Sequence, residues 1–198
     1  MLQRRKRLTE FKKALDAQNS SEGWWQAFFK DNKWIFGYGL NYVILRLEQP
    51  QAHVGGTSIK GTGGKIPDYL ASTGGLVRFT VLVEIKTPQA ALLFGSKPIR
   101  SGAWSLGAEL TDAISQIHAS VEEWTLRGFS HPANLDRLEK IYTVKPKAII
   151  IVGSLNQVKD DRTKWESFEL FRKSIHGVEI ITFDELYERA RFIVEHQT

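Results

Sequence analysis

The sequence predicts an α/β domain in which a mixed central β-sheet lies between helices. Three observations predict it. Apolar residues recur at helical spacing before, between and after runs of β-forming residues. Three strand-like runs follow one another ahead of a long helix, and Ser72-Thr73-Gly74-Gly75 reads as a hairpin turn between the second and third, which makes those strands antiparallel. Beyond the long helix, strand, helix, strand and helix alternate, so the later strands can return parallel through crossovers.

The elements follow in order. Leu8, Phe11 and Leu15 form one stripe of a charged helix over Arg4–Gln18. Ser21 is a natural N-cap for a second, strongly apolar helix that carries Trp24, Trp25, Ala27, Phe28 and Phe29 and ends near Asn32. Trp34-Ile35-Phe36 leads into a turn at Gly37 and Gly39. Asn41–Glu48 is rich in β-formers and reads as a strand. Gln49–Gly64 holds one proline and five glycines and reads as a loop. Lys65–Ala71 is a short strand. In Leu76–Lys86, Val77, Phe79, Val81, Val83 and Ile85 alternate with the residues between them, and Thr87-Pro88 stops the strand. Gln89–Gly107 is irregular. Leu110, Ala113, Ile114, Ile117, Val121 and Trp124 stripe a helix over Ala108–Leu126. Lys147–Val152 is a buried strand, Lys164–Ser174 an amphipathic helix, Val178–Phe183 a strand, and Asp184–Val194 a helix capped by Asp184.

The 198 residues suit one domain, or one domain with an elaboration, divided here into a basic N-terminal helix or linker, residues 1–19, and a single domain, residues 20–198. There is no cysteine, which excludes a disulfide framework, a cysteine-ligated zinc site and a thiol nucleophile. The apolar runs fall far short of the ~20 residues of a membrane-spanning helix, so no membrane partner and a cytoplasmic location are expected. The net charge of +5 is concentrated: residues 1–13 carry six basic side chains against Glu10, and the remainder balances. That stretch could meet phosphates, or it could be a solvated helix face.

The chemistry centres on Asp68, Glu84 and Lys86. Leu82, Glu84 and Lys86 share one face of their strand, while Val81, Val83 and Ile85 share the other. An acid and a lysine at the end of so apolar a strand belong at a rim or cleft. The preceding strand can bring Asp68 beside Glu84, and two adjacent carboxylates repel unless positive charge lies between them. A divalent ion such as Mg2+ (or Mn2+) would supply it through hard oxygen ligands. Phosphodiester hydrolysis needs those parts: a metal to activate water and neutralise phosphoryl charge, and a lysine to orient the water or meet developing charge. On its own, Glu84-Ile85-Lys86 is also what a salt bridge at a strand end looks like.

Pro67-Asp68 followed by Glu84-Ile85-Lys86 resembles the PD-(D/E)XK motif of restriction-endonuclease-like nucleases. The wider succession is more specific. Glu22, Trp25, Phe28, Phe29, Asn32 and Trp34-Ile35-Phe36-Gly37 precede the motif, Val81 to Pro88 carry it, and Glu109-Leu110, Ala113-Ile114 and Gln116 follow. This is similar to the nuclease domain of the Shedu anti-phage defence proteins, over about residues 20–155 and onward. The resemblance implies a restriction-endonuclease-like fold and a metal-dependent endonuclease that cuts or nicks DNA, with phage DNA as the expected substrate. It implies Asp68 and Glu84 as metal ligands, the Ile85 carbonyl as a further one, and Lys86 as the catalytic lysine. Glu22 would match an extra acid near the metal, and Gln116 a glutamine on the helix after the motif. It also implies a homo-oligomer, and a regulatory region preceding this domain that lies outside this chain.

Competing readings stand beside these. Glu22 can be a helix N-terminal charge held by the dipole, and Gln116 a boundary position. Lys60 and Lys65, in or beside the glycine-rich loop, and Lys97 and Arg100, on the irregular segment, are candidates for nucleic-acid contact against the plainer reading of solvated side chains. His53 in the loop is read as solvated, and His118, His131 and His176 show no metal-ligand spacing. The glycine-rich loop lacks the Gly-Lys-Ser/Thr of a phosphate-binding loop. The six tryptophans are core or interface anchors before they are stacking platforms. The rival function is a catalytically silent nuclease-fold module for DNA binding or oligomerisation; a junction-cutting or RNA-processing nuclease is a third, since fold alone does not fix substrate.

Overall fold

The computed structural model describes residues 2–37, 45–50, 68–73, 80–128 and 146–196. Its helices are α1 (Leu2–Asp16), α2 (Glu22–Asp31), α3 (Ala108–Glu123), α4 (Arg162–Ser174) and α5 (Phe183–His196). Its strands are β1 (Leu45–Pro50), β2 (Tyr69–Thr73), β3 (Thr80–Ile85), β4 (Leu93–Phe94), β5 (Ser105–Leu106), β6 (Lys147–Ile151) and β7 (Val178–Ile181). Five of the strands form one sheet in the order β1-β2-β3-β6-β7. β1, β2 and β3 pair antiparallel, whereas β3, β6 and β7 run parallel, so the sheet is mixed as the element order predicts.

Strand alternation sorts the core into two halves. Val81, Val83 and Ile85 of β3, with Ile149 and Ile151 of β6, meet Phe11 of α1, Trp25, Phe28 and Phe29 of α2, and Leu186 and Ala190 of α5. Leu82, Ala148, Ile150 and Ile180 point the other way, against Leu110, Ala113 and Ile117 of α3 and Phe168 of α4. Helices thus cover both faces, and β3 lies in the middle with all six of its residues buried.

α1 is built into this core. Its basic side chains are solvated, but Phe11 is fully buried, with ring centroids 5.4–5.6 Å from Trp25, Phe28, Phe29 and Tyr187. Ser21 caps α2 by accepting the Trp24 N–H, as expected.

Several element bounds differ from the sequence reading. Ser72 and Thr73, expected in the hairpin turn, belong to β2, where they pair with Thr80 and Leu45 respectively; Gly74 and Gly75 lie outside the described residues. The strand expected over Asn41–Glu48 runs, in its described part, on to Pro50, at the sheet edge where a missing N–H is tolerated. The irregular segment holds a small antiparallel ladder, β4 with β5. α3 ends in a π-helical turn over Trp124–Gly128, and Trp124, on the apolar stripe of the helix, is fully buried. Asp184 does not cap α5. Helix α5 starts one residue earlier, at Phe183, and Glu185 reaches back to the Thr182 N–H at 3.0 Å, the reciprocal half of a Thr-x-x-Glu capping box. Asp184 instead accepts the Leu155 N–H.

The segment that follows β3 is locked. Gln157 Oε1 accepts the Leu92 N–H at 3.0 Å, and its Nε2 donates to the Pro88 and Ala90 carbonyls. Gly107, the residue before α3, comes so close to Ala91 that a β-carbon there would stand 1.8 Å from the Ala91 carbonyl oxygen. These contacts fix the path from the end of β3 to the start of α3.

Candidate active site

The site forms where β3 ends. β3 is paired on both sides, so a polar side chain on it has little access to water, and Glu84 is 5% exposed. Thr87-Pro88 ends the strand, while the Lys86 N–H still bonds the Ile151 carbonyl, extending the parallel ladder by one step. Tyr69 of β2 pairs with Val83, which brings Asp68, one residue before, to the level of Glu84 and Ile85. Asp68 Oδ2 accepts the Ile85 N–H at 2.6 Å.

Lys86 turns to the same face as Glu84. Its Nζ donates to Glu84 Oε1 at 2.8 Å and to Gln116 Oε1, on α3, at 3.1 Å. From the other side comes α2. Gln26 Nε2 donates to Asp68 Oδ1 at 2.6 Å and lies 3.4 Å from Glu22 Oε1, one helical turn back on the same face. One hydrogen-bonded group therefore contains Glu22, Gln26 and Asp68, and a second contains Glu84, Lys86 and Gln116. The Ile85 amide and the adjacency of β2 and β3 join them.

The structure brings together Asp68, Glu84, Lys86, Gln116 and Glu22, all singled out in the sequence. The Ile85 carbonyl belongs to the residue whose amide Asp68 holds. Lys97 and Arg100 are exposed on the β4–β5 segment, apart from the hydrogen bonds that join these groups. Lys60, Lys65, His53, His131 and Pro67 lie outside the described residues. Sequence reasoning missed Gln26. The available signal was a lone amide four residues after Glu22 on a helix whose other residues there are nearly all apolar or aromatic.

The electrostatics follow from burial. The Asp68 carboxyl is pushed up to about 7, first by burial, then by the Glu84 charge, with Glu22 adding to it; the Ile85 N–H and Lys86 oppose the rise. Burial also raises Glu84, against the hydrogen bond and charge of Lys86. Burial pulls Lys86 down, but Glu84, with Glu22 and Asp68 beyond it, outweighs burial and holds the ammonium above its ordinary value. Three acids thus face one lysine, and the surplus is negative.

That surplus and the oxygen donors suit a hard divalent cation. Asp68 and Glu84 could hold it from adjacent strands. Among the described residues no three histidine, cysteine, aspartate or glutamate side chains stand together as a metal cage. An ion here would therefore take two carboxylates and complete its shell with backbone or solvent oxygen, which Mg2+ favours.

Comparison with known proteins adds an independent line. The family described as "Shedu protein SduA, C-terminal" matches residues 19–187. The Shedu protein SduA of Bacillus cereus (strain B4264) is 30% identical over 181 residues, which cover 89% of this chain and 46% of that protein. The chain thus spans just under half the length of this relative.

Proposed function

The chain belongs to the Shedu SduA family, and on that premise we propose that it is a divalent-metal-dependent endonuclease that hydrolyses phosphodiester bonds of DNA in anti-phage defence. The observation that carries the proposal is the juxtaposition of Asp68, Glu84 and Lys86. A half-buried carboxylate, Asp68, and a buried one, Glu84, are held at the ends of neighbouring strands, and the Lys86 ammonium lies beside Glu84. A restriction-endonuclease-like fold accords with three antiparallel strands followed by a helix and a parallel strand.

In this reading Asp68 and Glu84 would hold a Mg2+ or Mn2+ ion, with the Ile85 carbonyl as a further ligand. When bound, such an ion would polarise a phosphoryl oxygen and acidify a water. Lys86 supplies positive charge on the same face, and its Nζ can donate to a phosphoryl oxygen or hold a water for attack. Gln116 keeps the Lys86 ammonium in place through a neutral acceptor, so the lysine is anchored without a second full negative charge. Glu22 stands behind Asp68 and adds negative potential.

The alternative is a catalytically silent nuclease-fold module. It draws on the Lys86–Glu84 ion pair, which engages one carboxylate oxygen, and on the lack of a third acidic or histidine ligand among the described residues. Incubation with supercoiled plasmid, linear DNA and RNA, each with Mg2+, Mn2+ or chelator, separates the readings. Chelator-sensitive nicking or linearisation of plasmid is the expected result. Plasmid binding without cleavage in either metal would leave the silent module.

A further inference from the structure

We infer that Gln26 is a positioning residue for the Asp68 carboxylate, setting its rotation for a divalent ion and tying it to Glu22. The inference rests on the metal-site reading above. Aspartate χ2 is otherwise broad, so a carboxylate meant to present fixed lone pairs must be held from outside. Asp68 is held at both oxygens, by the Ile85 N–H at Oδ2 and by Gln26 Nε2 at Oδ1, each at 2.6 Å. The two donors come from different elements, one from β3 and one from α2. A carboxylate oxygen accepts at about two positions, and each Asp68 oxygen uses one of them on these donors among the described residues.

The same Gln26 nitrogen lies 3.4 Å from Glu22 Oε1. Ionised carboxylates only accept, so an amide set between two of them presents its NH2 group, whose two N–H bonds can serve both. The group is neutral. It satisfies two acids without adding a positive charge that would compete with a cation, unlike Lys86 on Glu84. Its support is firm: α2 is anchored by Trp25, Phe28 and Phe29 in the core.

The test uses Gln26→Met, close in shape but without donors, and Gln26→Ala, which keeps helix propensity, should the methionine variant not fold. Mn2+ is titrated into the nucleic-acid-free chain by calorimetry, and plasmid cleavage is followed across Mn2+ concentrations. The expected result is a Kd for Mn2+ raised about 10- to 100-fold, the usual scale for losing a partner behind a metal ligand, with half-saturating Mn2+ for cleavage shifted alike. The rate at saturating Mn2+ should be largely retained. A purely structural role would lower the rate at every Mn2+ concentration and leave half-saturation where it was, which overturns the inference, as does a variant with the parent's Kd. A parent chain that binds no Mn2+ overturns the metal reading and this inference together. A parent that binds Mn2+ but does not cleave removes only the catalytic reading, and the calorimetry still decides on Gln26.

Discussion

Lys86 Nζ stands 2.8 Å from Oε1 of Glu84, two residues away on the same face of β3. The pair is partly shielded, with side-chain exposures of 15% and 7%. A lysine placed for catalysis and one placed only to neutralise an acid give opposite results on removal. Lys86→Met should slow cleavage by about 100-fold or more, the scale for losing an electrostatic or acid–base group. Mn2+ affinity should be kept or improved, because a competing cation has gone. Cleavage rate and Mn2+ calorimetry on the same variant check both halves. Parental turnover would assign the lysine to neutralisation alone.

Asp68 gives the metal-free protein a distinctive pH dependence. Its folded value of about 7 lies above the ordinary 3.8. The contribution to stability is therefore full below about pH 4 and is lost as pH rises through 7, on the order of a few kcal/mol. In chelator, the parent should lose stability relative to Asp68→Asn across that window, and Mn2+ should restore the parent but not the variant. Thermal unfolding at stepped pH measures the difference. Parallel curves for parent and variant would contradict the raised carboxyl. Cleavage should be abolished in Asp68→Asn at every pH.

Glu185 carries the reverse sign. Burial pushes its carboxyl up, yet hydrogen bonds from Arg172 and Thr182 outweigh burial and hold it below its ordinary value of 4.5. The stability it confers is present above that value and is lost as pH falls through the lower folded one. Glu185→Ala removes a capping-box acid and the carboxylate that Arg172 meets at 2.7 and 2.8 Å, leaving the guanidinium with Glu169 alone as its acidic partner among the described residues. Its expected cost is about 2–4 kcal/mol at neutral pH, shrinking in acid. Denaturant titration at pH 7 and pH 3 checks it.

The basic charge of the N-terminus can be tested without removing the helix. Arg5, Lys6 and Lys13 are exposed. Changing all three to glutamate should weaken DNA binding and flatten its salt dependence. An unchanged slope of log affinity against log salt would make α1 a bystander. Deleting residues 1–13 is a poorer test, since it also removes Phe11 from the core at a cost of about 3–5 kcal/mol.

Much of this was legible in the sequence because period and burial agree there. β3 alternates Val81, Val83 and Ile85 against Leu82 and Glu84; the first set enters one core and Leu82 the other, while Glu84 lies at the site. Asp68, Glu84 and Lys86 stood out because charge at the end of an apolar strand needs a reason. Gln26 did not, because an amide on a helix has no sequence-level cost, and its role depends on a partner 42 residues away. Asp184 was misread as a cap because it is a good capping residue one place from the true start. Glu185 Oε2 accepts both the Thr182 N–H and the Thr182 hydroxyl, a pair of bonds that Asp184 does not make. The Gln157 clamp was invisible for the same reason as Gln26: its acceptors and donors are backbone groups 65–69 residues away.

Phe11 has a consequence for how the molecule would meet a charged polymer. A cationic arm on a loose tether samples many directions, and its pull averages toward a featureless halo. Because Phe11 is wedged among four aromatic rings, the charges of α1 keep fixed bearings relative to Asp68 and Glu84. The protein therefore carries a compass of sorts: an approaching polyanion would be turned as well as attracted, arriving in a preferred attitude.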